Sequence, residues 1–355
     1  MSLAWCPDVY TKFYQLREEP FRLTPDPKFL HLAEPHRLAL GMLLDGIMSR
    51  KGFLVLYGPI GTGKTTLMHA ALHLLEDNSA LKDKLSTAFV VNPTLSPSEF
   101  LEAVLDEFEV QCPSTSKPRR LAAFHEMLLA TQRKGGTTVL IVDEAHLLTP
   151  ELLEEIRLLS NTDTYQEKPL QVVLSGQPEL QAHLHHPRMK ALQQRVAANC
   201  HLRPLSLPET RVYVSERLHA AGLRGESPFG VTVLEKVFEF TSGVPRLINL
   251  LCDNALSIGA SHLKHAIDAA IVEEAAAKLQ LLPEQVEAAK SISFSSRSTL
   301  GAFSQSSVRP ADGGASSGKD AREEEQLPPL PEEEILTAVD MLINAMKQRR
   351  GYARE

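Results

Sequence analysis

Eight residues, Gly58-Pro59-Ile60-Gly61-Thr62-Gly63-Lys64-Thr65, constrain this chain more than any other stretch. They fit the pattern G-x-x-x-x-G-K-[ST] with no mismatch. Their flanks suit it as well. Phe53-Leu54-Val55-Leu56-Tyr57 is a short apolar run that reads as a buried strand, and Thr66 to Leu75 reads as a helix. A glycine-rich turn between strand and helix lets successive backbone N–H groups wrap a phosphate. Lys64 then reaches the β- and γ-phosphates, and the Thr65 hydroxyl is set to bind Mg²⁺. All eight residues, with Thr66 just inside the helix, form the expected contact with a nucleotide such as ATP.

The rest of the chain supplies a scaffold for that loop. Strand candidates at 53–57, 86–92, 137–143, 170–175 and 199–203 alternate with helical patterns at 64–76, 97–108, 119–133 and 150–160. Such alternation implies an α/β fold with a parallel sheet covered on both faces, its ligand at the carboxyl ends of the strands. This core runs over 51–206. Residues 1–50 form a lead-in, with turns at Pro20, Pro25 and Pro27 and one helical face carrying Leu40, Leu43, Leu44 and Ile47. Residues 207–285 read as a small all-helical domain. Residues 286–331, rich in Ser, Gly, Pro and Glu, read as a disordered linker. Residues 332–350 end the chain with one amphipathic helix, on which Ile335, Val339, Leu342, Ile343 and Met346 share a face. That face suits docking on a partner or on the chain's own core.

Composition narrows the function classes. Across 355 residues, the net charge of −7 argues against a domain built wholly around a nucleic-acid backbone, while a local patch such as Lys117, Arg119 and Arg120 still allows contact with duplex DNA. No signal-peptide pattern opens the chain and no apolar run reaches membrane-span length. The expectation is a cytoplasmic protein with no direct membrane insertion, reaching any membrane machine through a protein partner. Cys6, Cys112, Cys200 and Cys252 are scattered, which suits reduced thiols.

Three further motifs carry chemistry. Val139-Leu140-Ile141-Val142-Asp143-Glu144-Ala145-His146 is an apolar strand ending in two acids. Behind a P-loop, an Asp here holds the Mg²⁺ shell and the next acid polarises an attacking water, so Asp143 and Glu144 argue for hydrolysis. Gln171 to Leu180 is another buried strand with a polar exit, where Gln177 or Ser175 is set to orient that water. Arg195, just before the last strand, suits an arginine finger acting on a neighbouring subunit, and Arg246, opening a helix of the 207–285 domain, suits a γ-phosphate sensor.

The order of these motifs resembles the AAA+ ATPases of the ExeA, or general secretion pathway protein A, type over about residues 10–280. The matching residues are Phe13-Tyr14, Pro20-Phe21, Thr24 to Leu30, the P-loop, Asp143 to His146, Glu154 to Asn161, Ser175 to Leu180, Gln194-Arg195-Val196 and Gly243 to Asn249. The resemblance implies a RecA-like core with a helical lid, ATP and Mg²⁺ as cofactors, and a homo-oligomer in ring or filament form. It implies Gln177 as sensor 1, Arg195 as the finger with Arg188 as its rival, Arg246 as sensor 2, and a lead-in packing near the adenine. Transposition ATPases of the TnsC and TniB type resemble the same family, so DNA-linked regulation stands beside secretion or pilus assembly as a use. Pro59 departs from the acid that many relatives carry. No membrane helix or peptidoglycan-binding segment follows the resemblance, so direct peptidoglycan binding is not expected.

Overall fold

Strands β3 (Thr137–Val142) and β4 (Leu170–Gly176) are buried along their whole length, and β1 (Phe53–Tyr57) is buried up to Leu56. Continuous apolar runs of this kind suit the centre of a parallel sheet, where both faces are covered. In the computed structural model β1, β3 and β4 occupy the interior of a five-stranded sheet of order β2-β3-β4-β1-β5, every pairing parallel. The edges are β2 (Leu85–Val90) and β5 (Val196–His201), which bury only alternate positions or fewer. The structure describes residues 8–23, 33–78, 81, 84–91, 94–161 and 168–281. The linker and terminal helix expected at 286–331 and 332–350, and the Thr24 to Leu30 stretch, lie outside the described residues.

Helices cover both faces. On one lie α2 (Glu34–Met48) and α3 (Lys64–Glu76), whose Leu40, Leu43, Ile47, Leu67 and Leu75 pack against Leu54, Leu56 and Ile141. On the other lie α4 (Pro97–Glu107), α5 (Lys117–Arg133), α6 (Pro150–Leu159) and the short α7 (Pro178–Leu184) and α8 (Lys190–Gln193). Local chemistry starts these helices. Ser96 and Glu99 form a reciprocal capping box on α4, and Thr149 caps α6 through Leu152 N. Prolines at 97 and 150 occupy first-turn positions where no N–H is needed.

The lid comprises α9 (Leu207–Ala220), α10 (Val231–Thr241), α11 (Pro245–Ser261) and α12 (Ala269–Lys278) around a separate apolar core. That core also takes in Tyr10 and Tyr14, from α1 (Asp8–Phe13) and the turn after it, together with Phe21. Among the described lead-in residues, 8–23 therefore pack on the lid, while α2 packs on the sheet. The last strand starts three residues earlier than the expected 199–203. As an edge strand with three exposed positions, it carries too little apolar signal to mark its start. Among the described residues no helix is long and apolar enough to cross a membrane.

Candidate nucleotide site

The loop after β1 is shaped by positions that only glycine fills well. Gly61 and Gly63 have φ of +79° and +96°, in the left-handed region that L side chains avoid. A Cβ on Gly58 would fall inside the van der Waals shell of the Leu202 carbonyl oxygen. The loop thus fits under β5 and opens α3 at Lys64, with its backbone turned around the site a phosphate would fill. From α2, His36 Nε2 lies 2.8 Å from Thr62 O, and Thr62 Oγ1 donates to Pro59 O at 2.9 Å. These two contacts brace the loop from the side.

Lys64 is 7% exposed, and its Nζ donates to Gly58 O and Pro59 O at 2.8 and 3.0 Å. Burial pushes its pKa down, while Glu144, Asp143 and Glu179 act against that shift. The result is a cation held in a low-dielectric cleft and surrounded by acids.

β3 ends beside this loop, with β4 between β3 and β1. Asp143 is buried at the end of β3, and its two oxygens have different partners. Oδ2 accepts from the Thr65 hydroxyl at 2.7 Å. Oδ1 accepts from the Ser175 hydroxyl and from Glu144 N, both at 2.9 Å. Three donors shared between the two oxygens fix how the carboxylate is turned. The pairing also tests a divalent site: a hydroxyl and a carboxylate within 2.7 Å of each other, turned by fixed neighbours, are hard oxygen ligands of the type Mg²⁺ takes. The residues present fit such an ion.

Glu144 takes φ 52° and ψ 34°, a left-handed conformation rare for a non-glycine residue. A 3₁₀ turn at Ala145–Leu147 follows it. Gln177 opens α7 at the end of β4, with its side-chain amide nitrogen 2.9 Å from His146 Nε2. On the other side of the same ring, His146 Nδ1 lies 3.4 Å from Glu144 Oε2.

Residues 47–184 match the AAA domain family. General secretion pathway protein A of Aeromonas hydrophila is 39% identical over 260 residues, covering 73% of this chain. The chain belongs to the AAA+ ATPases of the ExeA type. The alignment spans 46% of that relative's length. Three solved structures share the AAA+ fold at low identity. Drosophila ORC bound to DNA aligns with TM-score 0.58 and 18% identity, over 81% of this chain and 69% of that one. Cdc6p of Pyrobaculum aerophilum gives 0.56 and 17%, over 76% and 70%. The ORC2 protein of Aeropyrum pernix in ADPNP and ADP complexes gives 0.55 and 13%, over 93% and 98%.

The arginines of this AAA+ chain fall at two different ends. Arg246 is in the first turn of α11, where its backbone N–H donates to Gly61 O at 3.1 Å and its side chain packs over Gly61. The lid thereby touches the phosphate loop directly. Arg195 precedes β5, whose first residue pairs with Phe53 at the amino end of β1. The length of β1, about 17 Å at 3.3–3.4 Å per residue, separates it from the loop of its own chain. Its Nη1 donates to Ser160 Oγ at 2.9 Å. Arg188 is exposed in a 3₁₀ turn at Pro187–Met189. In the patch at 117–120, Lys117 pairs with Glu155 and Arg120 is buried against Glu102 and the carbonyls of Ser98 and Ser114, while Arg119 is exposed.

Sequence reasoning passed over two members of this site. His36 lies 26 residues before its partner, with no local signal to mark it. His146 was visible beside the acids but carried no pattern that assigned it a partner.

Proposed function

We propose that this chain binds Mg²⁺-ATP across the carboxyl ends of β1, β3 and β4 and hydrolyses it at a subunit interface, switching an oligomer that acts on a protein partner. The observation that carries the reading is the constellation of Thr65, Asp143 and Ser175 beside a buried Lys64, with Glu144 on the adjoining turn. The loop from Gly58 to Thr66 cradles the phosphates through its backbone N–H groups, and Lys64 bridges the β- and γ-phosphate oxygens. Thr65 and Asp143 would hold Mg²⁺, which supplies charge neutralisation when bound. Glu144 takes a proton from a water whose oxygen attacks the γ-phosphorus. The bond to the β–γ bridging oxygen breaks, giving ADP and phosphate. Gln177 orients that water or the γ-phosphate, and Arg246 reports γ-phosphate to the lid.

The position of Arg195 supports a role toward a neighbouring subunit, since its own loop lies at the other end of β1. The likeness to general secretion pathway protein A supports an envelope machine, of the secretion or pilus kind, as the setting.

The test is ATP turnover by the wild type, Lys64→Ala and Glu144→Gln, with nucleotide affinity measured in parallel. Lys64→Ala should weaken affinity at least about 100-fold. Glu144→Gln should keep affinity within about threefold while turnover falls at least about 100-fold. Wild-type turnover in Glu144→Gln would remove Glu144 as the base. Stimulation of the wild type by duplex DNA would move the setting to DNA-linked regulation.

A further inference from the structure

The hydrolysis reading gives His146 no task, yet its side chain lies between two residues that have one. The ring is 11% exposed and the Glu144 side chain is 42% exposed, so the imidazole is fixed by packing while the carboxylate faces the site. The backbone N–H of His146 lies against Gly176, where an added Cβ would come within 3.0 Å. The turn that carries the ring is therefore held at the exit of β4, beside the start of α7.

Its two nitrogens have different neighbours. With the proton on Nδ1, the ring donates toward Glu144 Oε2 at 3.4 Å, and the Nε2 lone pair accepts from the Gln177 amide at 2.9 Å. With the proton on Nε2, the Nδ1 lone pair takes the Gln177 backbone N–H at 3.5 Å and faces the Glu144 carboxylate. Either tautomer ties the ring to Gln177, through the side-chain amide in the first and the backbone N–H in the second, and only the first also donates toward Glu144. The first tautomer leaves the second N–H of the Gln177 amide for a phosphate oxygen. The left-handed backbone of Glu144 fits this arrangement. It turns the acid off the line of β3, and Glu144 N donates to Asp143 Oδ1 at 2.9 Å. A non-glycine residue in this conformation is strained, so the neighbouring contacts must hold it there.

We infer that His146 is a positioning residue that couples Gln177 to Glu144 and fixes where the Glu144 carboxylate points. A change in what Gln177 touches, as when a γ-phosphate oxygen takes its amide, is passed through the ring to the base. His146 touches neither nucleotide nor water in this role. It rests on the hydrolysis reading above.

The experiment is steady-state ATP turnover and nucleotide affinity for the wild type, His146→Ala, His146→Gln, Gln177→Ala, the His146→Ala/Gln177→Ala double variant and Glu144→Gln, with thermal melts of each. His146→Ala should lower kcat about 10–100-fold, with KM and ADP affinity within about twofold and an unchanged melt. His146→Gln, which keeps one donor and one acceptor, should recover to within about fivefold of wild type. The double variant should be no slower than the slower single variant, because both single changes cut the same link. Wild-type kcat in His146→Ala, or multiplied losses in the double variant, would overturn the coupling. So would equal loss of affinity and melting temperature, which marks a structural ring. A fully active Glu144→Gln would instead overturn the hydrolysis reading itself, and the coupling with it.

Discussion

In the sheet domain, β3 and β4 bury every residue, with Thr137, Thr138 and Gln171 at their amino ends, apolar side chains along their middles, and the groups of the candidate site, Asp143, Ser175 and Gln177, at their carboxyl ends. The lid buries polar groups in its middle. Arg217 is 7% exposed, and its guanidinium donates to Pro20 O at 2.6 Å, to Arg22 O at 3.2 Å and to the Tyr213 hydroxyl at 2.9 Å. The Tyr213 hydroxyl in turn donates to Asn249 Oδ1 at 2.9 Å. Tyr10 donates to Asp253 at 2.6 Å, and burial together with that carboxylate raises the Tyr10 pKa well above the usual phenol range. The Phe13 ring stacks on His265 at 4.3 Å between centroids. The difference is one of division of labour. The sheet keeps its interior apolar and concentrates chemistry at one rim. The lid uses buried hydrogen bonds to hold a segment nearly 200 residues away in sequence, so its polar interior is a fastening.

That contrast can be broken first at the joint. Gly243 has φ +75°, and a Cβ there would overlap the Leu205 carbonyl oxygen, which accepts no such approach; Leu205 N meanwhile donates to Gly243 O at 2.9 Å. Gly243→Ala should cost roughly 3–4 kcal/mol, from left-handed strain and the forced backbone shift together. Urea unfolding should show it, and the sheet domain should respond less than the lid. A loss under about 1 kcal/mol would mean the joint has room to relax. Second is the fastening itself. Arg217→Met keeps most of the apolar stem but strands two backbone carbonyls and the Tyr213 hydroxyl, so roughly 2–3 kcal/mol should be lost. Limited proteolysis should then cut within residues 8–23 first. Unchanged protection there would show that Tyr10, Tyr14 and Phe21 suffice to hold the segment.

The same contrast explains what the sequence made legible. The central strands and the loop at 58–65 are local patterns: apolar runs, glycines at fixed spacing, an Asp-Glu pair at a strand exit. The P-loop, Asp143 and Glu144 stand out because phosphate chemistry needs backbone curvature and hard ligands at set intervals. The edge strand β5 was displaced by three residues because half-exposed edges carry weak alternation. The helices α7 and α8 escaped because each is seven residues or fewer, set by packing on the sheet. His36 on Thr62, Arg217 on Pro20 and Tyr10 on Asp253 are pairings across 26 to 243 residues, and no periodicity announces a partner at such separation. The lead-in was expected near the adenine from resemblance. Of its described residues, 8–23 meet the lid because their aromatic side chains find apolar cover there, while α2 brings His36 against Thr62 of the phosphate loop.

The smallest effect sharpens the comparison, because it lies at the seam between the two regions. Arg203, just past β5, holds Glu209 in the first turn of α9 through two hydrogen bonds of 2.8 and 2.9 Å, and Glu209 also accepts from Ser206 N at 2.6 Å. Burial alone would raise the Glu209 pKa. The Arg203 and Ser206 hydrogen bonds outweigh it and bring the pKa from the ordinary 4.5 down to about 2. A folded-state pKa below the unfolded one means the stabilisation is complete above about 4.5 and is lost as pH falls toward 2. Glu209→Gln should therefore cost on the order of 1–2 kcal/mol at pH 7, read as a shift in urea midpoint. The gap between variant and wild type should shrink by at least about half at pH 3. A gap of equal size at both pH values would show that Glu209 holds the seam by its helix cap alone, with the charge on Arg203 adding nothing.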